Sequence, residues 1–345
     1  MKRIAGLKNF NSSEFFQKYT IILVWIGLII LYSCLMPDTF ATWRNVTSML
    51  SSKAVLAVLA LAIMIPLIAG DYDMSVAANM TLGAMLIAVM NVWWGVPIGV
   101  AIIVSVAICA GIGAVNGIFA AILEVDAFVV TMGMQTLLAG IIVLISNSAT
   151  VTGVSEVLTY AVYRGRLFGI SYVFYYAIAI AAICFYFFTF TAAGRRVLIV
   201  GRGRNVARLS GINVKRVRFL CFVASGALSG IAGMLYVGVL GAADVSSGLD
   251  YIMPAFAAVF LSTTVISTGK YNPWGCIVAV YFLVTGTTGL SLMGVNSAIQ
   301  DVFYGGALIV AVVSAVMVSR GKARSGLKAA LAKEKEEKQK LQKVS

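Results

Sequence analysis

The chain has 345 residues, 61% of them hydrophobic and only 11% charged, against about 25% charged in an ordinary soluble domain. Repeated long apolar runs on that background exclude a soluble globular protein and put the chain in the polytopic membrane class. The net charge of +13 does not signal nucleic acid: of 26 basic residues, four precede the first apolar stretch, eight lie in Gly194–Arg218 and nine follow Ser319, and no aromatic residue interleaves the central block to stack on a base.

In chain order, a short interfacial helix is expected over Phe10–Gln17, before a first span at about Tyr19–Leu35. No small-residue cleavage site follows that run, so it reads as a retained helix rather than a signal peptide. Span two runs from about Ser51 to Ala69, with Pro66 near its end, and stops at the polar stretch Gly70-Asp71-Tyr72-Asp73-Met74-Ser75. Span three follows to about Met90, and Asn91-Val92-Trp93-Trp94-Gly95 suits an aromatic-belt turn. Span four, about Pro97–Leu123, carries Gly113-Ala114-Val115-Asn116-Gly117, a small-residue spacing that lets helices approach closely. Glu124 and Asp126 mark a turn, span five covers about Phe128–Ile145, Asn147–Ile170 is a longer polar loop, and span six is about Tyr172–Thr191.

After the basic block comes span seven, about Phe219–Leu240, with Gly226, Gly230 and Gly233 along one face. Gly241–Asp250 reads as a turn, and Pro254–Thr268 as either a full span or a re-entrant piece. Spans nine and ten are about Cys276–Leu292 and Ala298–Val318.

Lys and Arg beside helix ends resist translocation, so Gly194–Arg218, with eight basic residues and no acid, marks the cytoplasmic side. With the N-terminus inside, six spans return this block to the inside and four more return the basic tail there. Ten is the self-consistent count. The expected fold is an all-α integral membrane protein of about ten transmembrane helices, some broken or re-entrant, with both termini cytoplasmic. It comprises an N-terminal cytoplasmic or interfacial segment 1–18, a transmembrane domain 19–318 and a polar Lys/Glu-rich cytoplasmic tail 319–345.

Catalytic chemistry finds little support. Histidine is absent, which removes the commonest metal ligand and general base, and the five scattered cysteines form no CxxC pair. There is no GxxxxGK[ST], so the chain has no P-loop of its own, and no GxSxG or HExxH. Asp71 and Asp73 are either an acid/base pair or polar residues opening a helix. Asp71, Asp73, Ser75, Asn79, Asn116, Thr131 and Gln135 either bond helix to helix or line a substrate path. Interruptions near Gly70 and Pro254 favour a path, because broken helices persist where they line cavities. Mid-span positions are nearly free of Asp, Glu, Lys and Arg, which a proton- or sodium-driven carrier needs for coupling. Energy therefore comes more naturally from a partner, through a short amphipathic helix at Val206–Ile212.

These residues resemble a family, the transmembrane permease subunits of bacterial ABC importers for monosaccharides of the ribose/xylose/arabinose group. The family's GGIDLSVG stretch corresponds to Gly70–Ala77. Its GxxNG and following PxFIVTLG correspond to Gly113, Asn116, Gly117 and Phe128–Gly133. Its cytoplasmic run ending AARLSGI corresponds to Gly194, Arg195, Gly201 and Ala207–Ile212, and its late WGxxx…GLxLxGV to Trp274, Gly275, Gly289, Leu290, Leu292, Gly294 and Val295. Departures stand at Asp71 and Ala77, where the family has glycine, at Asp126 for a proline, and at Gly203 for an asparagine.

The resemblance implies a permease in the bacterial cytoplasmic membrane that works as a dimer with a second copy or a paralogue. A cytoplasmic ATPase, itself holding ATP and Mg2+, would seat Ala207, Arg208, Leu209, Ser210, Gly211 and Ile212, while the flanking arginines hold the membrane side and the lipid. A periplasmic or extracellular binding protein would deliver a monosaccharide or related polyol. The chain itself would bind no cofactor and catalyse no reaction. Readings left open are an importer of another solute such as a nucleoside or vitamin, a secondary carrier or channel, and a carboxylate-using membrane enzyme.

Overall fold

The computed structural model describes residues 12–266 and 269–313. Backbone in lipid has no water to bond and must satisfy itself within the chain. The described chain accordingly is helix almost throughout, with four strands of two residues each.

Helix α1 spans Ser12–Leu35 without a break, so Ser12–Gln17 continue the first apolar helix instead of forming a separate interfacial one. The remainder of the N-terminal segment, the tail from 319 and the end of the tenth apolar run lie outside the described residues. The second apolar run is two helices, α2 (Trp43–Ser52) and α3 (Ala54–Ile68), joined at Lys53. Thr42 caps α2 by accepting from the Asn45 N–H. Helix α4 (Val76–Ala88) widens into a π turn at Val89–Trp93, as α5 (Ile98–Gly117) does at Ile118–Ile122. Asp126 accepts from the Val129 N–H and so starts α6 (Ala127–Ser146).

The loop after α6 holds strand β1 (Val151–Thr152), the single turn α7 (Glu156–Thr159) with its π extension Tyr160–Arg164, and the hairpin β2 (Arg166–Leu167) and β3 (Ile170–Ser171). Helix α8 (Tyr172–Phe190) leads into two short helices, α9 (Ala192–Arg202) and α10 (Arg204–Leu209). Helix α11 (Val214–Leu240) starts five residues before the expected span, because Asn213 accepts from the Arg216 N–H and caps it there. Strand β4 (Ala242–Ala243) pairs antiparallel with β1. Helix α12 (Leu249–Ser262) begins inside the stretch expected to be a turn and carries Pro254 within it. Its 14 residues rise about 21 Å, less than the roughly 30 Å of a hydrocarbon core. Helices α13 (Pro273–Leu292) and α14 (Ser297–Val313) follow.

Seven helical segments among the described residues are long and apolar enough to cross a membrane: Trp43–Ile68, Val76–Trp93, Ile98–Ile122, Ala127–Ser146, Tyr172–Phe190, Val214–Leu240 and Pro273–Leu292. Ile21–Leu35, α12 and α14 are apolar but shorter.

Helix α3 is the axis of the molecule. All 15 of its residues are buried, against α11, α12, α8 and α13. An apolar helix with no polar face can be covered on every side in this way. Helix α11 packs closest on α5 and α4. The small residues read along its face are the cause: Gly226 meets Gly113 and the Cys109 carbonyl, Gly230 meets Val106 and Cys109, and Gly233 meets Met80 and Ala84. By contrast α5, α6 and α8 leave most of their surface exposed, as lipid-facing helices do.

Contacts sort the connections into two ends. At one end the 70–75 turn, the 122–126 turn and the 191–213 segment touch through Arg204–Asp71 and Arg208–Glu124. At the other, Ser155 N–H bonds to Asn91, Ser171 N–H bonds to Ser51, and β1 pairs with β4.

Candidate functional site

The basic block folds as a bracket across the first of these ends. Thr191 caps α9 through the Gly194 N–H at 3.0 Å. Ala207 is fully buried on Val200 and Val214, with Ile212 and Val217 packed alongside. Arg208 reaches Glu124 at 3.2 Å, and Lys215 reaches the same carboxylate at 3.3 Å and the Ile122 carbonyl at 3.1 Å. These two cations hold the Glu124 carboxyl below its ordinary value, Lys215 foremost. Ser210 bonds back to the Val206 carbonyl at 2.9 Å. Gly211 turns left-handed at φ +76, and the Ile212 N–H returns to the Ala207 carbonyl. That turn ends α10 at Leu209, three residues short of the helix expected over Val206–Ile212. Leu209, 91% exposed, and Val206, 64% exposed, stand on the outer face of α10.

Arg204 and Arg218 anchor the bracket to the break between α3 and α4. Arg218 grips Asp71 with two bonds of 2.7 Å, Nε to Oδ2 and Nη2 to Oδ1, and both residues are buried. Arg204 adds a bond to Asp71 Oδ1 at 2.8 Å and one to the Gly70 carbonyl at 3.1 Å. Arg218 therefore does not hold the lipid, as the reading of the flanking arginines had it. A buried carboxylate needs a buried partner, and the guanidinium fork matches it.

Deeper than Asp71, the other polar residues divide. Asp73 Oδ1 accepts from the Ser75 N–H (3.1 Å) and hydroxyl (2.7 Å), and Oδ2 accepts from the Ser225 hydroxyl (3.1 Å). Asn116 donates to the Ser75 hydroxyl at 2.8 Å, so Asp73, Ser75, Asn116 and Ser225 form one network joining α4, α5 and α11. Asn79 lies apart, donating to the Cys109 carbonyl at 3.1 Å. The Oδ1 atoms of Asn79 and Asn116 are buried without a partner among the described residues. The Thr131 hydroxyl accepts from the Met74 N–H at 3.0 Å and pins the 70–75 turn to α6. Gln135 is half-buried and joins none of these bonds. Nothing in the sequence pattern marks Ser225, Arg204 or Arg218 as site residues. Only the acid at position 71, in a stretch that otherwise has few charges, hinted that a cation had to meet it.

At the opposite end lies a cavity of about 660 Å3 with a mixed polar and apolar lining, its charged and phenolic members being Lys53, Asp244, Asp250, Asp301, Tyr236, Tyr251 and Tyr304. Burial pushes the Asp244 carboxyl up, but bonds from the Ser246 N–H and hydroxyl, both 2.8 Å, together with the Ser247 and Tyr236 hydroxyls, outweigh it and leave the carboxyl below its ordinary value.

Residues 45–312 match the family model described as "Branched-chain amino acid transport system / permease component". The chain belongs to this permease family. The permease is 26% identical to the D-allose transport system permease protein AlsC of Escherichia coli K12, over 91% of this chain and 96% of that one. It is 28% identical to the ribose import permease protein RbsC of the same strain, over 90% and 96%. It is 25% identical to the K12 xylose transport system permease protein XylH, over 89% and 93%. No solved structure matches the permease. It is a multi-pass protein of the inner membrane, and its family is one of transport subunits, not of catalytic enzymes.

Proposed function

We propose that this permease carries a monosaccharide or related polyol inward, driven by ATP hydrolysis on a separate ATPase subunit that holds ATP and Mg2+. The chain crosses the membrane about ten times, α12 supplying only part of its crossing, with both termini and the basic bracket in the cytoplasm. It works as a dimer with a second copy or a paralogue, and the half-exposed helices α5, α6 and α8 leave surface for that partner and for lipid.

The observation that carries this reading is the pair Val206 and Leu209. Two apolar side chains face water on a six-residue helix whose other face is buried and ion-paired to the transmembrane frame. An exposed apolar knob on a rigid mount fits insertion into a partner's groove. Movement of α10 would pass through Arg204 and Arg208 to the 70–75 and 122–126 turns, and so to the polar break beside Asp73. Switching that break between outward and inward access is a population shift set by the ATPase. The cavity at the far end, with carboxylates and tyrosines around its mouth, suits entry of a hydroxyl-rich solute handed over by a soluble binding protein.

The test is reconstitution of the permease in proteoliposomes with a candidate ATPase subunit and a candidate soluble binding protein. D-ribose, D-allose and D-xylose are offered one at a time. Uptake of one of them that requires ATP, with hydrolysis stimulated by the loaded binding protein, is expected. Leu209→Asp should remove the stimulation and leave insertion intact. Uptake without ATP would sink the coupling mechanism, and stimulation only by a non-sugar solute would sink the substrate class.

A further inference from the structure

A second cavity, about 960 Å3, opens between α8 and α11 at the basic end of the molecule and reaches inward to Ile65 of α3. One wall is Ile180, Ile183 and Phe187 of α8, the other Leu220, Leu228 and Ile231 of α11. Ile180, Ile183 and Phe187 recur once per turn on α8, and with Ala224 between Leu220 and Leu228 the α11 wall does the same, so both walls are continuous apolar stripes. Ala224 and Ala227 form part of the α11 wall, and their small size leaves the groove open. Its mouth carries Arg196 of α9 and Arg216 of α11 and no acidic residue. Neither arginine has a carboxylate within 4.0 Å among the described residues, unlike Arg204, Arg208, Lys215 and Arg218 in the same block.

We infer that this groove is a binding site for one anionic phospholipid, with the headgroup phosphate between Arg196 and Arg216 and an acyl chain along the α8–α11 stripes. Three features converge on that occupant. From Arg216 to Ile231 the α11 wall rises about 22 Å, enough to cover the roughly 15 Å hydrocarbon depth of one leaflet. The charges sit at one end of the groove only, as a lipid's do, and basic pockets between transmembrane helices on the inner side suit anionic headgroups. The walls are partly exposed, Ile183 by 66% and Leu220 by 52%, and so face lipid rather than the packed core.

The experiment is native mass spectrometry of the purified full-length chain in detergent, titrated with dioleoylphosphatidylglycerol and, separately, dioleoylphosphatidylcholine. One phosphatidylglycerol is expected to stay bound at energies that strip phosphatidylcholine. Arg196→Gln with Arg216→Gln should lower that retention at least fivefold, and Arg196→Lys with Arg216→Lys should restore most of it. Ala227→Phe, which fills the groove and keeps both charges, should also lower it, while Arg195→Gln outside the groove should not. Equal retention of both lipids by the unaltered chain overturns the proposal. So does full retention in Ala227→Phe, which would make the charges alone responsible. Loss of ATPase binding in the double glutamine variant with phosphatidylglycerol still held would assign the arginines to the ATPase and overturn it as well.

Discussion

Arg218 holds Asp71 by two parallel bonds of 2.7 Å across 147 residues of sequence. The pair ties the first turns of α11, the helix against which α5 and α4 pack, to the break that follows α3. Removing one partner of a buried pair leaves an uncompensated charge, which costs about 3–5 kcal/mol. Asp71→Asn should therefore lower thermal stability in detergent severely. Arg204→Gln breaks a bond to the same carboxylate, but its side chain is 41% exposed, and the loss should be about 1 kcal/mol or less. Asp71→Asn combined with Arg218→Met should regain most of the stability. Equal melting of Asp71→Asn and Arg204→Gln would show that the buried pair carries no special weight.

Positions of the apolar helices were legible because lipid imposes a simple rule, a long apolar run ended by polar or turn residues. Pro97 and Asp126 marked the starts of α5 and α6 to within a residue or two. The basic block misled in one respect. Charge records the side of the membrane and says nothing of where a helix begins, so α11 extends back through Arg218 to its cap at Asn213. The pairing of Asp71 with Arg218 was hidden for another reason. Helical periodicity orders neighbours within a few turns, whereas this contact depends on how α3 and α11 cross. Asp73, Ser75, Asn116 and Thr131 could be named as polar residues in an apolar setting, but which of them share a network is fixed only by packing. The two-residue strands β1 and β4 left no sequence signal at all.

The α5–α11 contact depends on having no side chain at two facing positions. A Cβ on Gly226 would overlap the Cys109 carbonyl oxygen, and one on Gly113 would overlap the Phe222 carbonyl oxygen. Backbone cannot step aside as a flexible side chain does. Gly226→Val should cost about 3 kcal/mol or more and lower the yield of folded protein on size exclusion. Gly111, also on α5, has nothing within 4 Å of a new Cβ, and Gly111→Ala should leave yield and melting unchanged or slightly improved. Tolerance of Gly226→Val would mean that α11 does not need this close approach.

Glu124 gives the bracket a pH dependence with a definite sign. Its carboxyl is held below the ordinary value of 4.5 by Lys215 and Arg208. A depressed folded-state value means that the stabilisation is complete above that ordinary value and is lost as pH falls through the lower one. Melting in detergent from pH 7 to pH 3 should show a decline below about pH 4.5 that is shallower in Glu124→Gln. Because the group is solvent-exposed, the difference should also shrink in high salt. Parallel curves for the two proteins would remove Glu124 from the clamp.

Asp73 is the acceptor for three donors, the Ser75 N–H, the Ser75 hydroxyl and the Ser225 hydroxyl. Asp73→Ala leaves all three buried without it, so the geometry of the break between α3 and α4 should loosen. Reconstituted transport is expected to fall tenfold or more, with the chain still inserted and still binding the ATPase. Unchanged transport would leave Asp73 with no part in the path.

Gly211 separates the roles of the two faces of α10. Its φ of +76 and the bond from its N–H to the Arg208 carbonyl are both incompatible with proline. Gly211→Pro should unwind the end of α10 and displace Leu209, while Arg204 still reaches Asp71 and α11 keeps its own cap. Insertion and monodispersity should survive, and ATP hydrolysis should fall to its unstimulated rate. Gly211→Ala keeps the N–H and pays only for the left-handed conformation, about 1 kcal/mol, so it should retain most of the stimulation. If Gly211→Pro hydrolyses ATP with normal stimulation, the exposed face of α10 is not where the ATPase is felt, and the contact must lie elsewhere on the basic end.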